Sequence, residues 1–135
     1  MHNHHDNKSI WHSYGLFWTG FLIGTACFLI TYGIRILNVT YDSWIMSLPD
    51  PDIRQHYLGF CSYIKSAWQF PAGMTDALSY PFSMSIVWTD SIPVLCIFFK
   101  LIRGILPETF QFFGWFGLIS FSLMGGFSAL LIKRL

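Results

Sequence analysis

Two stretches of this chain, Ser9–Ile34 and Thr109–Ile132, run without a single Asp, Glu, Lys or Arg. An α-helix rises about 1.5 Å per residue, so roughly 20 apolar residues cross the hydrocarbon core of a bilayer. Both stretches are long enough. The composition agrees: 53% of residues are hydrophobic and 11% charged, against roughly 25% charged in soluble domains. These features predict an all-α membrane protein with two to three transmembrane helices and an amphipathic interfacial helix in a long first loop. Chemistry, if present, belongs in that loop.

The chain divides on this reading into a polar His-rich tail over 1–13, a first transmembrane helix over 14–37 and an outer loop over 38–83. A second transmembrane or re-entrant helix follows over 84–105, and a last transmembrane helix over 109–132. The first segment is too long for the apolar region of a cleaved signal peptide and reads as a retained anchor. Trp11, Tyr14, Trp18 and Tyr32 near its ends fit interfacial aromatic belts. Within it, Gly20 and Gly24 form a GxxxG pattern. Ser122/Gly126 and Gly125/Ala129 give the last segment a similar small-residue face, which lets another helix approach closely. The middle stretch fits a span less well, because it contains Asp90 and Pro93 and ends on Lys100 and Arg103. If it spans, Asp90 sits at the outer interface. If it does not, a helix starts at a Thr89–Asp90 cap.

The net charge of +1 offers no basic footprint for nucleic acid. His4, His5 and Asp6 could touch a metal, but adjacent ligands on a polar tail bind weakly and no second cluster is evident. No metal site and no cofactor is therefore expected. Cys27, Cys61 and Cys96 are odd in number, two of them in expected spans, and read as small apolar fillers rather than a disulfide framework.

In the loop, 52–68 reads as one amphipathic helix. Asp50 is its cap, Pro51 occupies the first helical position and Asp52 complements the dipole. Ile53, Tyr57, Phe60, Ile64 and Trp68 form its apolar stripe, leaving Gln55, His56, Gly59 and Tyr63 on another side. Asp52 and His56 are four apart, so their side chains meet and can form an acid–base pair. The plainer reading, which the physics favours, is helix capping by Asp50 and Asp52 with His56 as an interfacial polar residue. Asp90 is a second candidate, either an intramembrane acid or another cap. Trp68–Gly73 reads as a rigid aromatic turn. Signatures of soluble metalloproteases, nucleotide hydrolases, dithiol enzymes and serine hydrolases are absent from the sequence.

Asp52–Gly59, Trp68–Gly73, Ser79–Pro81, Ser85–Pro93 and Leu106–Gln111 occur in the order found in a family of bacterial membrane proteins. That family resembles the GT-C class of polytopic glycosyltransferases, and the resemblance covers roughly 49–135. It implies an enzyme of the bacterial cytoplasmic membrane that takes a sugar from a polyprenyl-phosphate donor. A carboxylate in the first outer loop would be the base: Asp52, with Asp50 as near neighbour and His56 beside it. Arg54, His56 or Lys65 would stabilise the departing lipid phosphate, with Gln55 and Asp90 as further substrate contacts. GT-C enzymes carry seven or more spans, so this chain is expected to be an N-terminal portion working with further transmembrane helices. The competing expectations are a non-enzymatic small membrane protein, a gene remnant or helix-packing subunit, and a transporter fragment using Asp90.

Overall fold

The computed structural model describes the backbone of residues 3–134 and the side chains of 13–133. The chain forms α1 (Asn3–Tyr32), a 3-10 turn (Ile34–Leu37), α2 (Ser43–Ser47), α3 (Pro51–Lys65), β1 (Met74–Thr75) and β2 (Met84–Ser85). A second 3-10 turn (Ile86–Thr89), α4 (Pro93–Leu101), a third 3-10 turn (Arg103–Ile105) and α5 (Phe113–Arg134) complete it. It separates into two compact units. One joins the two ends of the sequence, up to Val39 and from Phe112; the other is the intervening Thr40–Gln111.

The first unit is an antiparallel pair, α1 against α5, held by small residues. A Cβ placed on Gly20 would collide with the Gly125 carbonyl and with Ala129, and one on Gly24 with the Phe121 carbonyl. The two glycine faces predicted to await neighbours therefore meet each other. Close approach lets Thr25 Oγ1 and Ser122 Oγ hydrogen-bond across the pair at 2.7 Å, with Ser122 fully buried. Phe28 packs onto Gly117 and its ring lies 5.4 Å from that of Phe121. At one end, Lys133 Nζ donates to Ser13 Oγ at 2.9 Å; at the other, Trp115 Nε1 donates to the Leu37 carbonyl at 2.9 Å.

Ser13–Tyr32 and Phe113–Lys133 are each long and apolar enough to cross a membrane. Only 11% of each apolar window is buried within the chain, unlike the mostly buried core helix of a soluble protein. Their outward faces are apolar, which supports association with a membrane. The boundaries differ from the sequence reading in two places. The helix starts at Asn3 rather than after a tail, because elongating an existing helix costs far less than nucleating one; the side chains of His4, His5 and Asp6 lie outside the described residues. It also ends at Tyr32, not Leu37. Gly33, at φ 77°, adopts a backbone conformation that other residues resist and turns the chain.

The middle stretch does not form a span. Residues 84–105 split into a two-residue strand, a 3-10 turn and α4, whose nine residues reach about 14 Å. The cause lies at Asp90, whose φ of 53° and ψ of 6° close the turn in the left-handed conformation that Asp tolerates. The helix begins only at Pro93, with Ile92 in the cap position. The expected Thr89–Asp90 cap is thus replaced by a turn, and Asp90 is exposed. Cys96 belongs to α4 and not to a span; it is buried, and all three cysteines are free.

In the second unit α3 packs against α4 and the turn before it. Tyr57, Gly59, Phe60 and Tyr63 are its buried residues. The inward face is therefore rotated from the predicted stripe toward Gly59 and Tyr63, while Trp68 lies beyond the helix end. Gly59 decides the rotation, since a Cβ there would overlap the Thr89 side chain. The two short strands pair antiparallel, Met74 with Ser85 and Thr75 with Met84.

Candidate functional site

The start of α3 follows its sequence. Asp50 Oδ1 accepts from the Asp52 amide at 2.9 Å and Pro51 opens the helix, so Asp50 is committed to capping. Asp52, in the first turn, is exposed. Its carboxylate complements the positive end of the helix and faces water.

His56 does not pair with Asp52. Its Nδ1 lies 3.1 Å from the Thr89 carbonyl. A carbonyl oxygen only accepts, so Nδ1 carries the hydrogen in this contact. The physical reason is a backbone one. Thr89 precedes the left-handed Asp90, its carbonyl has left the helical ladder, and a buried carbonyl requires a donor. The junction is closed by hydroxyls: Ser91 Oγ donates to the His56 carbonyl at 2.7 Å, Thr89 Oγ1 donates to the Ile86 carbonyl at 2.8 Å, and the two hydroxyls lie 2.9 Å apart. The Asp52–Gly59 and Ser85–Pro93 segments, separate in sequence, are thereby locked together.

Beside this junction is an open groove of about 430 Å³, with Arg54, Gln55, Leu58 and Gly59 on one side and Met46, Pro51, Leu78 and Thr89 around it. Arg54 and Gln55, both predicted from sequence, share it. Lys65 does not. It lines a different groove of about 400 Å³, with Cys61, Arg103, Glu108 and the rings of Phe60 and Phe110. Asp90 lines neither. The groove's contributions from Met46, Leu78 and Thr89 carried no sequence signal.

A second feature was missed altogether. Lys100, fully buried, donates through Nζ to Ser66 Oγ at 3.0 Å and to the Ala67 carbonyl at 3.1 Å. The ammonium stands 3.9 Å from the centre of the Tyr63 ring and 4.9 Å from that of Trp68. Arg103 Nη1 donates to the carbonyls of Ile64 and Ser66 at 3.2 and 2.8 Å. Lys100 and Arg103, read from the sequence as the end of the middle stretch, close the C-terminal end of α3, where the dipole favours them. Burial holds the Lys100 amine below its ordinary range; Arg103 pushes the same way and Asp76 opposes. The Cys96 thiol is pushed up to about 12, chiefly by burial. Burial raises Tyr57, whose hydroxyl donates to Asp42 Oδ2 at 3.0 Å.

Among the described residues, no three His, Cys, Asp or Glu side chains gather where a metal ion could be held. What the site offers is an exposed carboxylate, a histidine fixed through one nitrogen, and a groove carrying a guanidinium and an amide.

Compared with known proteins, the chain finds no match among curated proteins and none among solved structures. One family, described as "Domain of unknown function (DUF6311)", matches residues 21–135. That match takes in α3, the groove, the His56 junction and α5, and the chain belongs to this family.

Proposed function

We propose that this chain is the N-terminal module of a GT-C-like glycosyltransferase of the bacterial cytoplasmic membrane. It acts with further transmembrane helices, and its substrate is a sugar carried on polyprenyl phosphate. The observation that supports this reading is the exposed Asp52 in the first turn of α3, on the helix between Pro51 and the Arg54–Gln55 pair, which line the groove. An acid in the loop after the first span is where the resemblance to GT-C enzymes puts the base.

The chemistry follows from the groups. Asp52 accepts the proton of an acceptor hydroxyl as that oxygen attacks the anomeric carbon. The bond to the lipid phosphate breaks, and the Arg54 guanidinium meets the charge that develops there. Gln55 offers an amide to a sugar hydroxyl. His56 acts by position: its tie to Thr89 fixes the helix against the turn and holds the groove open. Asp50 supports Asp52 through the cap.

The competing picture is a subunit that packs on partner helices. The glycine faces that would serve added helices on either reading are filled by the α1–α5 contact, so any further helix packs elsewhere.

The test uses membranes containing the full chain and its assembly, supplied with a radiolabelled polyprenyl-phosphate sugar. Asp52→Asn is expected to lower transfer by about 10²-fold or more with membrane insertion unchanged. Transfer at the wild-type rate would remove Asp52 from the reaction and the proposal with it.

A further inference from the structure

We propose that the second unit carries an aromatic tip, Phe70–Pro71 with Tyr80–Pro81–Phe82, that enters the interfacial layer of a phospholipid bilayer. This goes beyond sugar transfer and depends only on the chain being membrane-bound. Phe70 is 97% exposed, Tyr80 86% and Phe82 76%, so each ring is left almost wholly to the solvent. They are gathered by the fold. Ser83 Oγ donates to Gln69 Oε1 at 2.7 Å, tying the neighbour of Phe82 to the neighbour of Phe70. Behind them the β1–β2 pairing joins the two segments, and Ser79 Oγ and the Phe82 amide close the second turn. The tip is a built projection.

Its occupant follows from charge. Residues 66–75 and 77–89 contain no Asp, Glu, Lys, Arg or His. The single charge between them, Asp76, is half-buried and drawn to Lys100. A projection this free of charge gives up no ion hydration on entering the interfacial layer. Aromatic rings among hydroxyls and amides are the chemistry of the bilayer interface. The chain also brings its own bilayer, because both ends of the unit continue into helices long and apolar enough to span one.

The experiment places a nitroxide at Phe70→Cys or Phe82→Cys, in the full chain with Cys27→Ala and Cys61→Ala, reconstituted into phosphatidylcholine vesicles. Asp52→Cys is the reference. Collisions with oxygen, which prefers lipid, and with a nickel chelate, which stays in water, are compared by power saturation. Oxygen is expected to dominate at 70 and 82 and the nickel chelate at 52. Nickel dominating at all three positions overturns the proposal. So does exclusion of both reagents from an immobilised label at 70 and 82, the signature of a protein contact. Because Phe70 is almost fully exposed, its replacement removes no packing, and the Phe82 variant gives an independent reading. Loss of sugar transfer in the Asp52 variant leaves these outcomes unchanged, so the two proposals fail separately.

Discussion

Lys100 illustrates how a charged side chain can be used for architecture. Its ammonium contacts two oxygens and two aromatic faces, so the stabilisation it gives to α3 is set against desolvation. Replacing it by Met keeps the stem and removes the donors. Lys100→Met is expected to destabilise the second unit by about 1–3 kcal/mol, the usual cost of leaving buried acceptors unmet, measured by denaturant unfolding in detergent. The same variant carries a pH signature. Because the folded amine is depressed below the unfolded value of 10.5, the unfolded chain binds more protons between those two values, and stability rises with pH across that window. Below it the amine is charged in both states and the full desolvation cost applies. Lys100→Met should abolish this rise; an unchanged slope would assign it to another group.

At the scale of elements, the α1–α5 pair depends on the absence of side chains. Gly20→Ile pushes a branched side chain into the Gly125 backbone, and overpacking of this kind costs about 1–3 kcal/mol. The expected result is separation of the helices, read as loss of disulfide crosslinking between Thr25→Cys and Ser122→Cys, whose hydroxyls lie 2.7 Å apart in the pair. Retained crosslinking would mean that the glycine face is not the contact. Both spans and both small-residue faces were legible in the sequence, because runs free of charge and small residues four apart are local patterns. The Asp50–Pro51 start of α3 was legible for the same reason. The middle stretch was misread because average apolarity conceals one left-handed residue, and Asp90 breaks what hydropathy would continue. The site was half legible. Arg54 and Gln55, both named from the sequence, sit one after the other and line one groove. His56 finds its partner 33 residues away, and no spacing rule in a single sequence reaches that far. The functions of Lys100 and Arg103 were hidden likewise, since what they cap is the distant end of another helix.

For the whole molecule, two candidate spans among the described residues instead of three change the expected topology. If both cross, Lys8 and the Lys133–Arg134 pair fall on one side, which the positive-inside tendency makes the cytoplasmic one. Lys100 and Arg103 belong to the long loop between the two helices, where that tendency is weak. Reporter fusions at the N- and C-terminus are therefore expected to give the same cytoplasmic signal. Opposite signals would restore a third crossing.

The Thr25–Ser122 bond joins residues 97 positions apart, and this has a consequence for biosynthesis. At roughly 5–20 residues per second, a ribosome needs on the order of 5–20 s after delivering Thr25 before it makes Ser122. During that interval the notch at Gly20 and Gly24 has no mate from its own chain. Until translation catches up, that notch is covered by something other than α5.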